Sequence, residues 1–105
     1  MNVRFSGQAI RCCATSAELE QLLTGRALTL ELSLPRDRKF RVNVRPAALE
    51  TWQLDSDPTG IWIAIPRSQL QALAETLPSK EGIEHRFETL AVTFEVDLKK
   101  SQAEA

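Results

Sequence analysis

The sequence predicts one α+β domain, mainly antiparallel, with about eight strands and two helices. Three observations carry this. Several short runs alternate strictly between apolar and polar residues, which is the period of a half-buried strand. Two stretches repeat leucine at helical spacing, and dense turn residues separate the runs. The 105 residues are 43% hydrophobic and 26% charged, an ordinary globular balance in a chain long enough for one core.

Val3 and Phe5 alternate with polar neighbours, and Ser6-Gly7-Gln8 reads as a hairpin turn into a strand from Ala9 to Ala14. Thr15 and Glu18 stand at capping-box spacing, so a helix starts there, with Leu19, Leu22 and Leu23 on one face and Gly25 as its stop. Leu28, Leu30, Leu32 and Leu34 alternate with Thr29, Glu31 and Ser33. After Pro35-Arg36-Asp37-Arg38, the run Phe40, Val42, Val44 alternates with Arg41, Asn43 and Arg45, which makes a hairpin with one apolar and one charged face. Glu31 is expected across from Arg41 or Arg45.

Thr51 to Leu54 reads as a short strand, and residues 55–60 as a turn. Ile61-Trp62-Ile63-Ala64-Ile65 is apolar throughout, the mark of a central strand covered on both faces. Pro66 opens the second helix, whose stripe is Leu70, Leu73, Ala74 and Leu77, and Pro78 stops it. Ile83 to Phe87 is a strand. In the last strand Leu90, Val92, Phe94, Val96 and Leu98 face one way, and Ala91, Thr93, Glu95 and Asp97 the other. The domain is expected over residues 1–99, with 100–105 as a polar tail. Leu30, Leu32, Val42, Phe94 and Val96 are expected to share one core with Leu19, Leu22, Leu70 and Leu73.

Each half reads strand, strand, helix, strand, strand. An offset of 51 puts Ile10 on Ile61, Leu19 on Leu70 and Leu22 on Leu73, and an offset of 52 puts Val42 on Phe94 and Val44 on Val96. Binary pattern alone produces such matches, so a duplicated ββαββ unit and a chance likeness both stay open. The expected architecture is a curved sheet or partly closed barrel packed on the two helices.

The formal charge of −1 supplies no global field for nucleic acid or an anionic membrane, so neither is an expected partner. The N-terminus carries no apolar leader core, and the adjacent Cys12 and Cys13 lack CxxC spacing. A cytoplasmic protein with reduced thiols, no cofactor and no metal is the expectation.

Two functional readings follow. In the first, the chain is a non-catalytic binding or adaptor module that uses the sheet or an exposed edge strand; Trp62 is either core on the second sheet face, as its wholly apolar segment favours, or the anchor for a protein partner or a second copy. In the second, it is a small enzyme or binder for a phosphate-bearing ligand, held on a charged sheet face by Arg41, Arg45, Glu95, Asp97 and Lys99. There two carboxylates and an ammonium at i, i+2 and i+4 share one strand face. The lone His85 has no partner at catalytic or metal spacing and reads as a polar strand residue. No catalytic residue is assigned, and the binding module is favoured.

Val3-Arg4-x-x-Gly7-x-x-Ile10-Arg11, then Thr15-x-x-Glu18-Leu19-x-x-Leu22 and the Gly25 stop, resemble the opening of a domain-of-unknown-function family of small bacterial proteins (DUF7009-like). Its later segment resembles Gly60-Ile61-Trp62-Ile63-Ala64-Ile65-Pro66 before a second helix. The resemblance implies a bacterial cytoplasmic protein and no particular activity.

Overall fold

A computed structural model describes residues 1–77 and 82–97; Pro78, Leu98, Lys99 and the 100–105 tail lie outside the described residues. The chain runs β1 (Asn2–Ser6), β2 (Ala9–Ala14), α1 (Ser16–Leu23), β3 (Leu28–Leu34), β4 (Arg38–Ala47), β5 (Gln53–Asp57), β6 (Gly60–Pro66), α2 (Arg67–Thr76), β7 (Ile83–Phe87) and β8 (Leu90–Val96). Eight strands and two helices in an α+β arrangement are what the alternation and the leucine spacing required.

The strands divide between two four-stranded sheets. Sheet A has the order β1-β2-β8-β7 and sheet B the order β3-β4-β6-β5. Each hairpin is antiparallel, and the central pairs β2/β8 and β4/β6 are parallel. Neither sheet closes into a barrel. The division arises because each ββαββ half gives its first hairpin to one sheet and its second to the other. Read as β5-β6-β4-β3, sheet B repeats the order of sheet A with the halves exchanged. β1 and β5, the helix caps Thr15 and Pro66, and the helix starts Ser16 and Arg67 all keep the offset of 51. The later strands shift by two residues from the offset of 52. Ile10 pairs with Val92 and Ile61 with Val42, so Val42 matches Val92, an offset of 92 − 42 = 50.

Local chemistry explains both helix starts. Thr15 is extended, its Oγ1 accepts the Glu18 amide at 3.1 Å, and Glu18 Oε1 accepts the Thr15 amide at 2.9 Å. These bonds satisfy two amides that a helix start otherwise leaves without partners. Pro66 caps α2 without a side-chain bond; its ring sets φ at −52°. Gly25 ends α1 with φ of 97°, which a side chain would strain.

Leu19, Leu22, Leu70 and Leu73 are all buried between the helices and the sheets. Each adds roughly 2 kcal/mol relative to exposure. They share one core with Ile10, Cys12, Val42, Val44, Trp52, Ile63, Ile65, Val92, Phe94 and Val96. Two expected core residues are not in it: Leu30 is 38% and Leu32 60% exposed. They lie on the correct face, but β3 is an edge strand of sheet B, and no described element packs over its outer half. β5 also departs from expectation, running to Asp57 with only Pro58-Thr59 as its turn.

Candidate functional site

The residues expected to form a charged ligand site are divided between the sheets. Arg41 and Arg45 lie on β4 and Trp62 on β6, all on the outer face of sheet B. Glu95 lies on β8 in sheet A, and Asp97 follows it, its amide donating to the Ala14 carbonyl at 2.7 Å. Arg41 is engaged locally. Its Nε donates to Glu31 Oε2 at 2.8 Å, and Lys39 Nζ stands 3.3 Å from the other carboxylate oxygen. These bonds, that from Arg41 first, hold the Glu31 carboxyl below its ordinary range. The cross-strand pair of Glu31 with Arg41 is as the hairpin pattern required.

Glu95 instead has Arg11 of β2 beside it. The Ser6-Gly7-Gln8 turn sets the register so that Arg4 stands directly opposite Arg11. Thr93 and Glu84 complete that row across the sheet. In the next row Cys13 stands beside Glu95. Arg11 Nε lies 3.8 Å from Glu95 Oε1, and the same oxygen accepts a hydrogen bond from the Cys13 thiol at 3.0 Å. Side chains directly opposite in an antiparallel pair have Cβ atoms only about 5 Å apart, and like charges placed so repel. Among the described residues Arg4 has no hydrogen-bond or ion-pair partner, and Arg11 has only the long contact to Glu95. Both arginines line an open recess of about 710 Å³ with Ser6, Ala9, Glu84 and Thr93.

The two thiols are chemically quiet. Burial, and then the hydrogen bond to Glu95, push Cys13 up to about 11. Burial pushes Cys12 up to about 12. Neither is a thiolate near neutral pH. His85 is held between rings, stacked on Trp52 at 5.6 Å and edge-on to Phe87 at 4.7 Å. Trp52, which is buried in the core, donates from Nε1 to Gln69 Oε1 at 2.8 Å, and His85 and Phe87 beside it are half-buried.

No family model, curated protein or solved structure matches this chain.

The pseudo-equivalent place on sheet B holds different residues. Trp62 occupies the position of Arg11, Asp55 that of Arg4, and Arg45 that of Glu95. Trp62 stands half-buried between Gly60 and Ala64 on its own strand, so no neighbour along the strand covers its ring. With Arg45, Gln53, Asp55 and Asp57 it lines an open recess of about 510 Å³. Gly60 has its own cause: a Cβ there would lie 2.3 Å from the Arg41 carbonyl oxygen.

Reading the sequence strand by strand missed Arg4 and Arg11, because each looks like an ordinary polar position of an amphipathic strand. Their signal lies in the turn. A hairpin closed at Ser6-Gly7-Gln8-Ala9 pairs 6 with 9 and therefore 4 with 11.

Proposed function

We propose that this chain is a small non-catalytic binding module that holds an anionic oxyacid group, a phosphate or a carboxylate, on the outer face of sheet A. The observation that carries the reading is the cross-strand pair Arg4 and Arg11, two guanidinium groups with no bonded acid between them over an open recess. Such a pair is unfavourable until an anion bridges it, and the guanidinium fork matches the geometry of phosphate and carboxylate oxygens. Glu95 tethers Arg11 from one side, and Glu84 and Thr93 border the recess. Glu95 belongs to this site through Arg11, and Arg4 and Arg11 stand there in place of Arg41 and Arg45.

Trp62 and its recess form the second contact of the module, a protein-facing anchor, because an aromatic ring open on a polar sheet face has the chemistry of an interface centre. The same reading takes the protein to be bacterial and cytoplasmic, as the family resemblance implies.

Calorimetric titration with pyrophosphate and with citrate, at fixed ionic strength, tests the anion site. The account expects saturable binding that weakens about ten-fold or more in Arg4→Gln and in Arg11→Gln, the loss of a charge-assisted hydrogen bond. Arg41→Gln leaves it unchanged. Binding that survives both sheet A substitutions, or no binding of either anion, would reject the proposal.

A further inference from the structure

We infer that the Trp62 recess on sheet B takes a cation, an arginine side chain presented by a protein partner. The inference rests on the reading of Trp62 as a protein-facing anchor and names the chemistry that the anchor receives. β5 supplies the row beside the half-buried ring, with Asp55 directly opposite Trp62 and Asp57 opposite Gly60. Trp62, Asp55 and Asp57 line one open recess. The face of an indole attracts a cation more strongly than any other side-chain ring, through its quadrupole. A guanidinium is planar, so it can lie on that face while its N–H fork reaches a carboxylate at the edge.

Neither carboxylate is taken up by a cation of this chain. Asp55 Oδ1 accepts the amide of its neighbour Ser56 at 2.9 Å, and Asp57 Oδ1 accepts the Thr59 amide and hydroxyl, both at 2.6 Å. Among the described residues neither forms an ion pair. The turn bonds, that from the Thr59 hydroxyl first, hold the Asp57 carboxyl below its ordinary range, so it is charged at neutral pH. Arg45 is the one cation among the residues that line the recess. It stands on β4 beside Ala64, across β6 from both carboxylates, and among the described residues it is in no ion pair and on no ring.

The two halves of the chain put opposite charges on the same scaffold. Asp55 stands where sheet A has Arg4, and Arg45 stands where sheet A has Glu95. Both charged positions are reversed in sign, and the indole of Trp62 replaces the second guanidinium, that of Arg11. Two arginines against one close carboxylate on sheet A become two carboxylates against one guanidinium on sheet B. Charge therefore selects the occupant. An acidic segment would set its carboxylate against Asp55 and Asp57, and an apolar one would take both out of water without a partner. A basic side chain meets the ring and the carboxylates together.

NMR titration with a capped tripeptide, acetyl-Gly-Arg-Gly-amide, tests this at low ionic strength, where surface charges are least screened. The same peptide with Gln or Glu at its centre is the comparison. One side chain binds weakly, so the titration runs to about 20 mM, which covers millimolar dissociation constants. The Trp62 indole N–H and the Ala64 amide should shift saturably with the arginine peptide, while the indole of the buried Trp52 stays in place. Asp55→Asn should weaken binding about three-fold, and Arg45→Gln should tighten it about two-fold by removing the like charge. Glu20→Gln, at an exposed acid on α1, leaves it unchanged. Trp62→Leu, followed at the Ala64 amide, abolishes it; the two charge variants keep the test decisive if that substitution disturbs the fold. Equal shifts from the Arg and Gln peptides, tighter binding of the Glu peptide, or an Asp55→Asn variant that binds like wild type would each overturn the inference and leave Trp62 an anchor of other chemistry. No shift at Trp62 with any of the three peptides would overturn the inference and the anchor reading together.

Discussion

The start of α1 rests on three bonds that can be removed separately. Thr15 Oγ1 accepts from the Glu18 amide, Glu18 Oε1 accepts from the Thr15 amide, and Glu18 Oε2 accepts from the Met1 ammonium at 2.6 Å. Thr15→Ala removes the first, a bond between neutral groups, together with a lesser side-chain contribution to the Glu18 carboxylate, and should cost about 1 kcal/mol near neutral pH. Glu18→Gln removes the charge from the other two. Charge-assisted bonds contribute about 1.5–3 kcal/mol, and the lower end applies because the Glu18 side chain keeps 24% of its surface in water. Burial alone would raise the Glu18 carboxyl, but the bonds from the ammonium and the Thr15 amide outweigh it and hold the group below its ordinary 4.5. Its pKa is lower in the folded state than in the unfolded one. Its contribution is therefore complete above about pH 5 and fades as pH falls through the folded value. Urea denaturation from about pH 7 down to about pH 3.5 reads both effects. With a slope of about 2 kcal/mol per molar urea, Thr15→Ala moves the midpoint by roughly half a molar near neutral pH. The Glu18→Gln deficit should shrink as pH falls. An equal Glu18→Gln deficit at both ends of the range, or no shift for Thr15→Ala, would refute this account of the helix start.

Gly60→Ala forces a methyl group towards the Arg41 carbonyl oxygen in the central β4/β6 pair, where backbone has no room to yield. It should destabilise by about 1–3 kcal/mol, seen as a lower Tm. Cys13 should react slowly with iodoacetamide at neutral pH, and Glu95→Gln should speed the reaction by removing the carboxylate that raises the thiol. An unchanged alkylation rate would show that burial alone keeps Cys13 quiet.

Much of the fold was legible because it depends on local rules. The capping box at Thr15 and Glu18, the leucine faces of both helices and the hairpin pairing of Glu31 with Arg41 follow from spacing alone. What covers a face does not. Alternation places Leu30 and Leu32 on the same side as the buried Leu28, but only the edge position of β3 decides that they stay exposed. The exchange of hairpins between the halves was equally hidden, since pairing β2 with β8 joins residues some 80 positions apart. That exchange separates Glu95 from Arg41 and Arg45 and brings it to Arg11. The candidate site was therefore half visible. The carboxylate stood out in its strand, and its arginine partner, Arg11, depended on a topology that alternation does not encode.

The anion site is tested most directly by thermal denaturation of wild type and Arg4→Gln, with and without pyrophosphate at matched ionic strength. A ligand bound only by the folded state at 100 times its Kd stabilises by about 2.7 kcal/mol. The account predicts that pyrophosphate raises the wild-type Tm and barely moves that of Arg4→Gln. Without the anion, Arg4→Gln should be at least as stable as wild type, because the substitution relieves the repulsion of Arg4 against Arg11. A variant that is less stable without ligand, yet gains as much from pyrophosphate as the wild type, would contradict the central claim.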